Sequence, residues 1–145
     1  MKRSRIIITA NVDLDGDCTF DIDVIRHDVK THTYFYGDAS VFKEFGKKLL
    51  DFPKNVAETV SFEAGYAEHP SVFGYLRIEA YCASPVGHTA LRIIAENNKN
   101  PPGHHRFEFS IPSEAASLNK LGAQLANWQV ETTPQIIWKA ETRWL

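Results

Sequence analysis

The segment Asn11-Val12-Asp13-Leu14-Asp15-Gly16-Asp17 places an oxygen-bearing side chain at every second position and a glycine sixth. That spacing matches the first half of a calcium loop, where ligands at positions one, three and five precede the turn glycine. The bidentate Glu required at position twelve is here Ile22, which cannot coordinate. The flanks alternate as strands, so the segment is expected to be a plain Asp-Gly hairpin with no metal. Its acidity needs a separate account. Residues 11–28 hold Asp13, Asp15, Asp17, Asp21, Asp23 and Asp28 against Arg26 alone, in a chain of net charge −2. Asp13, Asp21 and Asp23 are expected on the outward face of the hairpin, with Asp15 and Asp17 at its tip. One use of such a patch is to keep a solvated sheet edge from aggregating. The other is to meet a basic partner, where opposite charge speeds encounter and restricts partner choice.

Other chemistries find less support. Six histidines occur, at 27, 32, 69, 88, 104 and 105, with no HxH or HExxH spacing and no CxxC beside them. His88 and His104 could meet at the sheet ends. Cys18 and Cys82 fall in strand-like runs on the expected buried face, where a thiolate is disfavoured. No GxSxG and no glycine-rich phosphate loop is present. The carboxylate pairs Glu63/Glu68 and Glu79/Glu96 suit a charged sheet face as well as acid–base work. No catalytic residue, metal ligand or cofactor is therefore assigned. Tyr34, Tyr36, Tyr66, Tyr75 and Tyr81 are candidates for a protein-binding surface.

The elements that position these residues follow from hydrophobic periodicity. Period-two alternation gives strands over about 5–14, 18–25, 30–36, 57–64, 73–83, 88–97, 105–111 and 135–143. In the first hairpin a three-residue loop pairs Leu14 with Cys18 and Val12 with Phe20. In the hairpin around Ser84–Gly87, a four-residue loop pairs Ala83 with His88, Ala80 with Leu91 and Ile78 with Ile93. Helical stripes run through Val41, Phe42, Phe45, Leu49 and Phe52, with Asp38 as N-cap, and through Leu118, Leu121, Leu125 and Trp128. With 145 residues and 43% hydrophobic content, this is one domain over 1–145 with a core of ordinary size. The expected class is α+β: a largely antiparallel sheet of about eight strands with two helices on one face, in the order βββαβ-βββαβ. The other face is expected to be solvated, carrying Arg77, Glu79, Arg92, Glu96, Arg106, Glu108, Lys139 and Glu141.

The two halves, about 1–66 and 73–145, are similar. A shift of 76 residues lays Phe42 on Leu118, Gly46 on Gly122, Leu49 on Leu125, Phe52 on Trp128 and Phe62 on Trp138. An internal duplication explains this, and so does the ordinary likeness of two amphipathic helices.

The strand ending in Gly37-Asp38, the helix Val41-Phe42-Lys43-Glu44-Phe45-Gly46-Lys47-Lys48-Leu49, the strands Gly74-Tyr75-Leu76-Arg77-Ile78 and Leu91-Arg92-Ile93, and Phe107-Glu108-Phe109 before a last helix resemble the WapI-type immunity proteins. The likeness covers about residues 18–128 and lies in spacing and element order. It implies an intracellular protein that blocks a cognate toxin domain, often a nuclease, and it brings no residue motif for the binding site. The segment after Trp128 departs from the pattern.

The expectation is thus a cytoplasmic, non-enzymatic protein-binding module, monomeric or homodimeric, with no membrane span and no nucleic-acid partner. Asp13, Asp15, Asp17, Asp21 and Asp23 are its contact residues, and a basic toxin domain is its partner. The alternatives are a small-molecule-binding protein or enzyme, with a pocket between sheet and helices or at the His88/His104 end, and a protein that self-associates through an edge strand ending in Trp144-Leu145.

Overall fold

The computed structural model describes residues 4–27, 29–65 and 73–142. Along the chain run β1 (Arg5–Val12), β2 (Asp17–Arg26), β3 (Val29–Asp38), α1 (Lys43–Leu49), β4 (Val60–Ala64), β5 (Tyr75–Cys82), β6 (Thr89–Glu96), β7 (Arg106–Ser113), α2 (Ala115–Ala126) and β8 (Gln135–Lys139). The class is α+β, with the element order that the periodicity dictates. The strands divide into two antiparallel sheets of four, ordered β3-β2-β1-β8 and β4-β5-β6-β7. Each sheet takes three consecutive strands from one half of the chain and its fourth from the other half. Strand for strand, β1, β2, β3 and β8 correspond to β5, β6, β7 and β4, which is the arrangement an internal duplication would produce.

A shared core holds the parts together. Alternate residues of β1 and β2, from Ile6 through Val24, join Leu76, Ile78, Leu91, Ile93 and Ile111 of the second sheet and the stripes of both helices in one buried cluster. Phe42 is its junction. Its ring lies 5.3 Å from Phe20 of β2, 5.8 Å from Phe35 of β3, 4.5 Å from Phe62 of β4 and 6.1 Å from Trp128. Aromatic pairs at such separations add to their area burial.

The helices touch at the glycine shared by the two halves. A Cβ at Gly46 would stand 2.8 Å from the Gly122 carbonyl oxygen, and a Cβ at Gly122 would stand 2.8 Å from that of Gly46. No larger residue fits without parting the helices. Asn119 of α2 donates to the carbonyls of Leu49 (2.8 Å) and Phe52 (2.9 Å), tying α2 to the turn that follows α1.

Local details differ from expectation for physical reasons. In the first hairpin Val12, not Leu14, faces Cys18. Gly16 has φ +86°, which only the third residue of a Leu14-Asp15-Gly16 loop supplies without strain. That loop ends β1 two residues early and leaves Leu14 fully exposed. The shift is even, so the inward set keeps its face. The hairpin at Ser84–Gly87 has the expected register: Ala83 donates to the His88 carbonyl, Ala80 faces Leu91 and Ile78 faces Ile93. Asp38 does not cap α1, which begins at Lys43; it receives the amide (2.8 Å) and hydroxyl (2.6 Å) of Ser40 in the turn before it. Cys18 is buried but Cys82 is only half-buried.

Candidate functional site: the outer face of the first sheet

Strand register decides which side chains share this face. The inward residues of β1 and β2 are Ile6, Ile8, Ala10, Cys18, Phe20, Ile22 and Val24. The residues between them therefore face out. At one end Lys30, Ile25, Arg5 and Lys139 form a row across β3, β2, β1 and β8. The next row is His32, Asp23, Ile7 and Ile137; after it come Tyr34, Asp21, Thr9 and Gln135. Tyr36 and Thr19 follow, then Asp38 beside Asp17. The face is thus bipolar, with three cations at one end and carboxylates through the middle to the other.

The five acidic candidates occupy this face in two ways. Asp21 and Asp23 stand on it directly, each about a third exposed. His32 bridges them, its Nδ1 2.8 Å from Asp23 and its Nε2 3.4 Å from Asp21. Asn11 donates to Asp21 at 3.2 Å. Asp13 turns back on the loop and receives the amides of Asp15 (2.9 Å) and Asp17 (3.1 Å). That fixes the loop and spends one oxygen of Asp13 on it. Asp15 and Asp17 remain exposed at the tip. No Lys or Arg among the described residues pairs with any of the five. The hairpin is not an edge, as β1 and β2 are the two central strands of the sheet.

Tyr34 and Tyr36, candidates for a protein-binding surface from the residue pattern, stand on this face, and Asp38 and His32 join them without a signal in that pattern. What places all four is the short turn that pairs Arg26 with Val29, from which every later β2–β3 pair follows by counting. Tyr34 and Tyr36 are 43% and 61% exposed, and Phe73 packs against both rings, at 5.0 and 4.2 Å. Ser40 holds the Asp38 carboxyl below the ordinary carboxylate range through its hydroxyl and amide.

The outer face of the second sheet is built differently. Glu79, only 12% exposed, receives Arg77 at 2.7 Å and Arg92 at 3.1 Å. Tyr75 donates to Glu63 at 2.5 Å, and Arg77 reaches the same carboxylate at 3.5 Å. Burial pushes the Tyr75 phenol up, and its bond to Glu63 adds to the shift. Arg92 also lies over the Tyr81 ring, 4.6 Å from its centre. Glu96 takes His104 at 2.7 Å and Arg106 at 3.4 Å, and Arg106 reaches Glu108 at 3.0 Å. The His104 hydrogen bond leads in holding the Glu96 carboxyl below its ordinary range. These charges satisfy one another.

His88 and His104 do not meet, because they lie at opposite ends of β6: His88 precedes Thr89, and His104 binds Glu96. Burial pushes the thiols of Cys18 and Cys82 up, which disfavours the nucleophilic thiolate. Among the described residues no group of three or more His, Cys, Asp or Glu is placed to hold a metal. No described helix is long and apolar enough to cross a membrane. Asp28, Tyr66, Glu68, His69, Trp144 and Leu145 lie outside the described residues. Compared with known protein families, curated proteins and solved structures, the chain gives no match.

Proposed function

We propose that this chain is a non-enzymatic protein-binding module of the immunity type, which covers a basic groove on a toxin domain with the acidic part of its first sheet's outer face. The observation that carries this reading is the segregation of charge: Asp13, Asp15, Asp17, Asp21, Asp23 and Asp38 gather away from Arg5, Lys30 and Lys139. Carboxylates without cationic partners keep their field available to an approaching molecule, so they steer a basic surface at long range. The bipolar layout adds orientation, since a partner docked the wrong way round meets like charge. Tyr34 and Tyr36 supply amphipathic contact area at small entropic cost.

The test starts with a partner co-purified from the native host. Its association rate is then followed by stopped flow for the chain and for a variant with all five residues, Asp13, Asp15, Asp17, Asp21 and Asp23, changed to Asn. The variant should associate at least about tenfold more slowly, with a flatter dependence on salt. Equal rates and equal salt dependence would reject the acidic face as the contact surface.

A further inference from the structure

Each sheet ends in two edge strands, and among the described residues three of these four are guarded against pairing with another chain. β4 and β8 are five residues long, and Gln124 and Ser117 of α2 donate to the β8 carbonyls of Ile137 (3.3 Å) and Lys139 (3.1 Å). Pro112 lies in β7, and Thr142 donates to its carbonyl at 3.0 Å. Short length, proline and cover are the usual guards of an edge. β3 has none of them: its ten residues pair with β2 without a bulge or a proline. The two-residue turn makes Arg26 and Val29 a hydrogen-bonded pair, so bonded pairs recur at Thr31, Thr33 and Phe35. The backbone groups of Lys30, His32, Tyr34 and Tyr36 therefore point away from β2. No other backbone hydrogen bond among the described residues reaches them. A cleft of about 260 Å³ opens beside His32, Thr33 and Tyr34, at the middle of this edge.

The charges of β3 say what fits alongside it. Lys30 and Asp38 stand at its two ends on the same face, and Lys30 forms no ion pair among the described residues. Both Ser40 bonds to Asp38 fall on Oδ1, which leaves Oδ2 open. We infer that two copies of the chain pair antiparallel through β3 about a two-fold axis at Tyr34, joining their first sheets into one of eight strands. A two-fold interface sets one surface against itself, so the strand must be self-complementary. Centred on Tyr34, it is: Lys30 of each copy faces Asp38 of the other, His32 faces Tyr36, and Tyr34 faces Tyr34. Lys30, His32, Tyr34 and Tyr36 are also the positions whose backbone groups point outward, so the same register closes the hydrogen-bond ladder. Centring on Thr33 would set Lys30 against Tyr36, and centring on Phe35 would set it beyond the strand. Opposite charges and aromatic pairs directly across a ladder both stabilise it. His32, Tyr34, Tyr36 and Asp38 belong to the contact face described above, so the dimer lays two such faces side by side; the inference does not rest on the function proposed for them.

Sedimentation velocity of the full chain in low salt tests the pairing, at concentrations up to about 200 µM. A dimer is expected, with a dissociation constant below about 100 µM. Lys30→Asp and Asp38→Lys each put two like-charged pairs into the interface and should weaken the dimer at least about tenfold. Circular dichroism checks that both variants fold; Lys30 is exposed, so Lys30→Asp decides the matter alone if Asp38→Lys does not. Mixed in equal amounts, the two folded variants should form a heterodimer, since each aspartate then faces a lysine. A monomer throughout the range, a dimer that Lys30→Asp does not weaken, or folded variants that do not recover on mixing would each overturn the pairing.

Discussion

On the outer face of the second sheet, Glu79 sits between Arg77 and Arg92; on that of the first, Asp21 and Asp23 share the imidazole of His32, and Asp21 alone takes the amide of Asn11. Both faces belong to four-stranded antiparallel sheets of one fold, and both alternate with the same core. The difference is where opposite charges fall in the register. In the second sheet Glu79 pairs across to Arg92, and Glu63 pairs across to Arg77. In the first sheet the cross-strand neighbours of the aspartates are Ile7, Thr9, His32 and Tyr34. Charge used inside a face steadies the sheet, as cross-strand pairs do. Charge left without a cation contributes little to stability and stays available to a partner.

The largest effect should come from breaking the interlocked face. Glu79→Ala takes from Arg92 its carboxylate and leaves Arg77 only the longer contact to Glu63, and it should cost about 2 kcal/mol in urea denaturation. A cost below about 0.5 kcal/mol would mean that the second face is no more self-supporting than the first.

The paired change on the other face should do less. Asp21→Asn with Asp23→Asn removes two carboxylates with no Lys or Arg beside them, so stability should stay within about 0.5 kcal/mol. A loss as large as that of Glu79→Ala would place these aspartates in the service of the fold and erase the contrast.

The smallest effect is a slope with pH. The folded Glu96 carboxyl is held below its unfolded range, chiefly by the His104 hydrogen bond. Its stabilisation is present above the unfolded value of about 4.3 and is lost as pH falls through the lower folded value. Glu96→Gln should therefore flatten the loss of stability in acid and slightly reduce stability at neutral pH. About a third of the side chain is exposed, so the difference should be a few tenths of a kcal/mol. Denaturation at pH 7 and pH 3 measures it, and an unchanged acid slope would show that the Glu96 pair adds nothing to the second face.

The elements were readable from residue order because inward and outward positions alternate so regularly. The β5–β6 register was readable as well: the four-residue loop between Ala83 and His88 keeps Ile78, Ala80, Leu91 and Ile93 on one face. The β1–β2 register was not: a slip of two residues preserves every face, and only the left-handed backbone at Gly16 separates the two choices. The division into two sheets was also hidden. Alternation in β4 and β8 says which face is buried and nothing about which strand lies alongside. The acidic residues stood out as a charge run, but their bipolar setting with Arg5, Lys30 and Lys139 exists only after β1, β2, β3 and β8 are in register. Alternation sets Phe107 in line with the buried Ile111 on β7, yet Phe107 is only half-buried, which period alone does not say.

The exchange of fourth strands bears on how the chain comes to fold. Gln135 of β8 donates to Thr9 of β1 across 126 residues of sequence. During synthesis β1, β2 and β3 emerge first, yet β1 waits with one side unpaired until nearly the last element has left the ribosome. The first sheet to be made is the last to be finished. Its open backbone is a site where another nascent chain can pair, and contacts of such long range are slow to form. The aspartates of β2 and its loop hold the same charge on every copy, so two unfinished chains repel along the strands that are exposed longest.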